Sequence, residues 1–242
     1  MRYDYIEAHG ADWVHTPNLD RLVEGGSSFE RCYANNPVCM PSRCSFMTGC
    51  YPQQTGVMTN GQELDPNFGP TIAHCFKNAG YRTAQIGKLH FQNHQDHDLD
   101  PRARHSYGFE VFNLSEEPGC YEDAYMTWLR TERPDLVETF RLMRPASFDR
   151  HKERTEFKVI DAPSVYSHSG WVGEHCLRYM GSWGRSETPQ FVHLGFYAPH
   201  PPLNPTTEMF ESYKYVSIPA PIDRKNSRAD SGLTDLQLQE YR

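Results

Sequence analysis

A cysteine and an arginine stand four residues apart in a segment that could form an anion-handling site. Cys39 is followed by Met40-Pro41-Ser42-Arg43. Pro41 suits the first turn of a helix, because its missing N–H would have no partner there, and Thr48-Gly49 is typical of a helix end. Cys39 is then expected just outside a helix N-terminus, where backbone N–H groups and the helix dipole favour an anion. Arg43 adds a planar cation suited to a tetrahedral oxyanion, so the segment predicts a nucleophile beside an anion site.

Helix-then-strand units elsewhere in the chain predict an open α/β sheet that positions this segment. The patterns predict helices over about 17–24, 71–79 and 171–180, and strands over 29–34, 82–86 and 191–196. In such sheets, ligands bind beyond the carboxyl ends of the strands. Lys88, His90 and His200 follow two of these predicted ends and are therefore candidate site residues.

The range 92–165 differs from the rest, since it is polar, irregular and rich in His, Asp, Arg and Pro. One short helix is predicted over about 122–131, and the remainder is predicted to be mostly loop. Long loops in a compact domain are often functional, so the range is interpreted as an insertion that shapes substrate specificity. His94 and His97 suggest a metal site with His90, but they lack helical periodicity, and a solvated loop is the favoured interpretation.

Composition limits the possible functions. The 242 residues fit one large α/β domain or two small ones. A net charge of -7 argues against a nucleic-acid surface. With 38% hydrophobic residues, a mean hydropathy of -0.72 and no long apolar run, no membrane partner is expected, and localisation stays open. The seven cysteines lack C-x-x-C spacing, so reduced thiols are favoured over pairs such as Cys32 with Cys44.

Four motifs together resemble the formylglycine-dependent, arylsulfatase-like sulfatases of the alkaline phosphatase superfamily. Their order and spacing match over roughly residues 2 to 220. They are CMPSRCSFMTG from Cys39, HTPNLDRL from His15, GKLH from Gly87 and PHPP from Pro199. The resemblance implies a partial sulfatase catalytic domain over 1–242, with an α/β open mixed sheet and helices on both faces.

The resemblance also implies a mechanism. A maturation enzyme would oxidise Cys39 to formylglycine, whose hydrated aldehyde attacks the sulfur of a sulfate monoester, so that inorganic sulfate is released when the aldehyde reforms. Arg43 would hold the formylglycine, and Lys88 would bind a sulfate oxygen. His90 would be the base toward the diol, and His200 the proton donor near the leaving oxygen.

Asn60 lies in the loop after the signature helix. Its amide could bind a sulfate oxygen, and a turn at Asn60-Gly61 accounts for it equally well.

The family's divalent cation, usually Ca²⁺, is held by an acidic pair at the end of the first strand and by later ligands. Met1-Arg2-Tyr3-Asp4 aligns just after that pair, and Arg242 aligns before the later D-x-G-type segment, so the first strand and the C-terminal part are expected to be missing. Cys39, as formylglycine, is the one recognisable metal ligand. A fragment with weak or no metal binding and little activity is therefore expected.

Three functions stay open. The first is hydrolysis of a small-molecule or sugar sulfate ester. The second is hydrolysis of phosphonate or phosphate monoesters, since both anions are tetrahedral. The third is a non-catalytic fragment that binds sulfated ligands.

Overall fold

A computed structural model of the chain describes residues 3–92, 105–119, 121–141, 157–183 and 187–219. These ranges contain eight α-helices and three strands. The helices are α1 (Pro17–Gly25), α2 (Cys39–Thr48), α3 (Pro52–Thr55), α4 (Ile72–Asn78), α5 (Ala124–Glu132), α6 (Val137–Phe140), α7 (His168–Trp183) and α8 (Thr207–Tyr213). The strands are β1 (Arg82–Gly87), β2 (Val111–Leu114) and β3 (Gln190–Gly195).

The strands form one parallel sheet in the order β2-β1-β3. Gly87, the last residue of β1, is in register with Leu114 of β2 and with Gly195 of β3. The three carboxyl ends therefore lie at one edge, as expected for an α/β sheet. Within the described ranges every strand pair is parallel, so the antiparallel component of the expected mixed sheet is not among them.

Helices cover both faces of the sheet, which confirms the predicted layering. One buried cluster joins the sheet to α2 and α4 through Met40, Cys44, Met47, Ala73 and Leu114. The other joins it to α5 and α7 through Ile86, Tyr125, Leu129, Trp171 and Val172. Each helix has an apolar stripe that removes one sheet face from water, and this burial is the main force that holds the layers together.

Two expectations about elements were wrong. The range 29–34 forms no strand, and Phe29 and Tyr33 are exposed there. Apolar residues alone do not make a strand, because a strand also needs a neighbour to receive its hydrogen bonds.

The range 92–165, expected to hold one helix and otherwise mostly loop, also supplies strand β2 to the sheet. The helix predicted over about 122–131 is confirmed by α5, which packs in the second cluster. His94 and His97 lie outside the described residues. The six cysteines in the described ranges, including Cys32 and Cys44, are free thiols. No helix in those ranges is long and apolar enough to cross a membrane.

The chain divides into two compact units, 1–31 with 210–242, and 32–209. In the first unit, the side chains that begin α1 bind the preceding backbone. Thr16 accepts a hydrogen bond from the N–H of Glu7, and Asp20 accepts one from Ala8. The second unit contains the sheet and all the candidate site residues.

The ends of β1 and β3 approach more closely than side chains allow. The N–H of Lys88 donates to the carbonyl oxygen of Gly195 across 2.7 Å. A Cβ atom on Gly195 would lie 1.9 Å from the carbonyl oxygen of Lys88, and one on Gly87 would lie 2.1 Å from the oxygen of Gly195. Glycine at both positions therefore permits the contact that places Lys88.

We predict that Gly195→Ala destabilises the chain by about 3 kcal/mol, because the added methyl must displace backbone atoms. The matched control is Gly173→Ala in α7, where a Cβ meets nothing within 4 Å. That change should instead stabilise the chain by about 0.5–1 kcal/mol through helix propensity. Urea unfolding measures both changes, and equal effects at the two glycines would contradict the argument.

Candidate active site

The nucleophile candidate Cys39 is the first residue of α2, rather than just outside it as expected. Pro41 lies in the first turn, and the helix ends at Gly49 in the left-handed conformation, with φ 70°, as the sequence predicted. Asn60 reaches this N-terminus from the following loop, and its Oδ1 accepts a hydrogen bond of 3.0 Å from the N–H of Met40. Asn60 thus acts as a helix cap supplied from outside the helix.

His200 faces Cys39 from the loop after β3. Its imidazole is the largest influence that lowers the pKa of the Cys39 thiol, and its Nδ1 lies 2.7 Å from the carbonyl oxygen of Pro201. A carbonyl can only accept, so Nδ1 carries a proton. The hydroxyl of Tyr197 donates to the same carbonyl. The Pro201 carbonyl therefore fixes the orientation of the imidazole toward Cys39.

Lys88, directly after β1, is 1% exposed. Its Nζ lies 3.4 Å from Oε1 of the buried Glu117 and 5.5 Å from the centre of the Tyr197 ring. Its carbonyl oxygen accepts a hydrogen bond of 3.3 Å from Nη1 of Arg43 on α2. Lys88 thus links α2 to the edge of the sheet through its carbonyl group, and its side chain is a buried cation paired with Glu117.

The electrostatics of this cluster favour an anion at Cys39. Its pKa is lowered from the usual 9.0 to about 7. The hydrogen bond from His200 is the largest cause, and partial burial of the thiol opposes it. The positive charges of Lys88, His200 and Arg43 lower the pKa further. The structure thus brings Cys39, Arg43, Lys88 and His200 together.

His90 is held by a carboxylate that the sequence analysis did not identify. Its φ is 60°, a strained value for a residue with a Cβ. Oε1 of the buried Glu116 accepts hydrogen bonds from the N–H groups of Leu89, at 3.3 Å, and His90, at 2.7 Å. One oxygen accepts two charge-assisted hydrogen bonds that stabilise this turn, so Glu116 positions the backbone at Leu89 and His90.

His168, at the start of α7, is a second residue that the sequence analysis missed. Its Nδ1 accepts a hydrogen bond of 3.4 Å from the N–H of Tyr197, and its ring also interacts with the backbone of Ser115. Burial, and to a smaller extent the nearby charge of Lys88, lowers its pKa to about 4. At neutral pH, His168 is therefore an uncharged link between the segments that follow β2 and β3.

A better prediction of β2 would have revealed these acids. Glu116 and Glu117 follow the carboxyl end of β2, beside the end of β1. That position is the usual one for functional residues in a parallel sheet. No local sequence pattern identifies His168, because its contacts are to Tyr197 and Ser115, which are distant in the sequence.

The described residues do not fit a divalent cation site. Within 3–92 and the other described ranges, no group of three or more His, Cys, Asp or Glu side chains could hold a metal ion. The nearby acids already have cationic or amide partners, Lys88 for Glu117 and two backbone N–H groups for Glu116. We therefore derive no chemical step through a metal.

Comparison with known proteins gives concordant matches. A family model described as "Sulfatase" matches residues 1–236. An arylsulfatase of Clostridium perfringens is 28% identical over 240 residues, which are 92% of this chain and 46% of that protein. A multifunctional alkaline phosphatase superfamily protein of Trinickia caryophylli is 27% identical over 244 residues, with 95% and 46% covered.

Among solved structures, a phosphonate monoester hydrolase of Silicibacter pomeroyi superposes with a TM-score of 0.66 at 24% identity. The match covers 90% of this chain and 44% of that one. The chain thus spans about half the length of the curated relatives named above.

We predict that the unmodified Cys39 thiol reacts with iodoacetamide with a midpoint near pH 7, because the thiolate is the reactive form. His200→Ala removes a hydrogen bond to the thiolate and should raise the midpoint by about one to two pH units. Mass spectrometry of the Cys39 peptide measures the rate. Cys44 of the same helix, whose pKa burial raises to about 12, should stay unlabelled.

The control for that variant is His175→Ala, on α7, which should leave the midpoint unchanged. An unchanged midpoint in His200→Ala would show that His200 does not stabilise the thiolate.

We predict that Glu116→Ala lowers the free energy of unfolding by about 2–3 kcal/mol, because two buried backbone N–H groups lose a charged acceptor. Glu122→Ala is the matched control. Its carboxylate pairs with Arg130 on the surface, where both side chains are 51% exposed, so its loss should cost under about 0.5 kcal/mol. Urea unfolding compares the variants, and similar costs would exclude the positioning role of Glu116.

Proposed function

Because the chain belongs to the sulfatase family, we propose that it carries the nucleophile and cations of an enzyme that hydrolyses sulfate monoesters. Its fold is that of the alkaline phosphatase superfamily. The observation that carries the proposal is the meeting of Cys39, His200, Lys88 and Arg43 at the carboxyl edge of a parallel sheet. A half-buried nucleophile beside two permanent cations and a histidine is suited to a tetrahedral anion.

We propose that Cys39 is converted to formylglycine by a maturation enzyme. The modified residue would supply a nucleophilic hydroxyl from its hydrated aldehyde. The surroundings support this role, since they favour negative charge at the position of the sulfur.

The other residues have distinct proposed roles. Arg43 orients the nucleophile from within α2, and Lys88 stabilises the charge on a sulfate oxygen. His200, held by the Pro201 carbonyl, is placed to exchange a proton beside the nucleophile. His90 is the proposed base. Asn60 binds Met40 through Oδ1, which leaves the Nδ2 group as a donor toward a sulfate oxygen.

The substrate is proposed by class alone, as a small-molecule or sugar sulfate ester. A phosphonate or phosphate monoester is the second candidate, and the relative of Trinickia caryophylli, described as multifunctional, favours keeping it. The two classes share tetrahedral geometry, so comparison of matched aryl esters separates them.

We predict that co-expression with a formylglycine-generating enzyme converts Cys39, so that its peptide loses one sulfur and two hydrogens and gains one oxygen. The converted chain should hydrolyse 4-nitrophenyl sulfate only slowly, in keeping with the little activity expected of it, and Cys39→Ala should abolish that slow hydrolysis. Cys75→Ser, which changes an exposed thiol, should have no effect.

Two results would contradict the proposal that this chain hydrolyses sulfate esters. An unconverted Cys39 in a competent host would favour the sulfated-ligand-binding fragment. Conversion without turnover would show that this chain lacks groups that the reaction requires.

A further inference from the structure

The feature that extends the proposed function is Tyr197, in the loop between β3 and His200. Its side chain is buried, and it contacts both of the residues outside α2 that lower the pKa of Cys39. The hydroxyl oxygen of Tyr197 lies 3.2 Å from Nδ1 of His200, and the centre of its ring lies 5.5 Å from Nζ of Lys88. One side chain thus borders the imidazole and the ammonium group of the candidate site.

The hydroxyl of Tyr197 can only accept a hydrogen bond from His200. A hydroxyl carries a single proton, and Tyr197 donates its own to the carbonyl oxygen of Pro201. Nδ1 of His200 lies 2.7 Å from that carbonyl oxygen and 3.2 Å from the hydroxyl oxygen. Both of these oxygens are acceptors toward the ring, so the nitrogen between them must carry a proton.

A proton held on Nδ1 determines what the rest of the imidazole does. In histidine, the hydrogen bond made by one ring nitrogen sets the protonation of the other. With Nδ1 committed as a donor, a neutral His200 has an unprotonated Nε2. Nε2 is then the atom through which His200 takes up or releases a proton. The opposite tautomer would direct the lone pair of Nδ1 at two oxygens, which is repulsive.

The ring of Tyr197 is held in place by contacts that do not involve its hydroxyl. The N–H of Tyr197 donates to Nδ1 of His168 across 3.4 Å, and its carbonyl oxygen accepts from the N–H of His200 across 3.0 Å. The ammonium group of Lys88 lies within the range of a cation–π interaction with the ring. Removal of the hydroxyl alone should therefore leave the ring, the backbone and Lys88 where they are.

We infer that Tyr197 is a positioning residue that keeps a proton on Nδ1 of His200 and orients the imidazole beside Cys39. The inference rests on the proposed function, in which His200 exchanges a proton beside the nucleophile. The hydroxyl acts in two ways. It holds the carbonyl of Pro201 against Nδ1, and it adds a second acceptor to a chain of hydrogen bonds whose members strengthen one another. Tyr197 itself does not need to touch the substrate.

The first test measures the tautomer of His200 by two-bond proton–nitrogen correlation NMR. The full chain carries Cys39→Ala, so that no thiolate protonates the ring, and the solution is kept at about pH 8.5, above the ordinary titration range of histidine. His200→Gln identifies the signals of His200 by their loss. The parent spectrum should show the proton on Nδ1, and Tyr197→Phe should show a mixture in which Nε2 also carries it.

The second test measures how fast iodoacetamide alkylates the unmodified Cys39 thiol at about pH 7, by mass spectrometry of the Cys39 peptide. Tyr197→Phe should lower the rate about threefold, because an imidazole that is less well oriented stabilises the thiolate less. In a chain that already carries His200→Ala, Tyr197→Phe should cause no further decrease. This non-additivity is expected because the hydroxyl acts through the imidazole.

Tyr125→Phe is the matched control. The hydroxyl of Tyr125 also donates to a backbone carbonyl, that of Tyr166 across 2.7 Å, and its side chain is also buried. Urea unfolding should show comparable losses of stability for Tyr125→Phe and Tyr197→Phe, since each removes one such hydrogen bond. Tyr125→Phe should change neither the tautomer of His200 nor the alkylation of Cys39.

Three results would overturn the inference. The first is a parent chain whose His200 is protonated on Nε2, which needs no variant at Tyr197. The second is an unchanged tautomer or an unchanged alkylation rate in Tyr197→Phe. The third is an equal decrease in rate with and without the imidazole of His200. These measurements require neither formylglycine nor turnover, so a chain that fails to hydrolyse sulfate esters contradicts the proposed function without changing them.

Discussion

The close approach of two backbones at the sheet edge is the constraint on which the site depends. The N–H of Lys88 reaches the carbonyl oxygen of Gly195, and neither strand has room there for a Cβ. The carbonyl of Lys88 also accepts from Arg43, which attaches α2 to the same point. The backbone of Lys88 thus joins β1, β3 and α2. Because the contact involves main-chain atoms, it fixes these elements with less freedom than side chains would allow.

A buried cation at this junction requires acids close by. An unpaired charge removed from water is costly, and burial is tolerated when a partner and hydrogen bonds compensate. The sheet supplies that partner through its topology, since β2 is parallel to β1 and ends at the same edge. Glu117 binds the side chain of Lys88, and Glu116 binds the backbone that follows it. The cation from one strand and the acids from its neighbour therefore form one unit.

Local patterns predicted the parts of this unit that depend on nearby residues. Helix α2, with Pro41 inside and Gly49 at its end, and strands β1 and β3 were found in this way. Strand β2 was missed because four residues within a polar range are too short to show a period. With β2 missed, the roles of Glu116 and Glu117 could not be inferred. The false strand over 29–34 has the converse cause, because its sequence is suitable but none of the strands in the described ranges pairs with it.

The N-terminus of α2 offers an anion fewer backbone N–H groups than the sequence predicted. Its backbone N–H groups were expected to favour the charge at Cys39 directly. The N–H of Met40 is bound by Asn60, Pro41 has none, and the N–H of Ser42 donates to Val38. The first-turn amides of residues 40–42 are therefore already satisfied within the fold. These amides are therefore not available to a bound anion, and the side-chain cations of Arg43 and Lys88 are the donors that we propose in their place. Asn60 and Glu116 each accept hydrogen bonds from backbone N–H groups, so the turns that carry Cys39 and His90 are held in place by the fold itself and do not need a bound anion to order them.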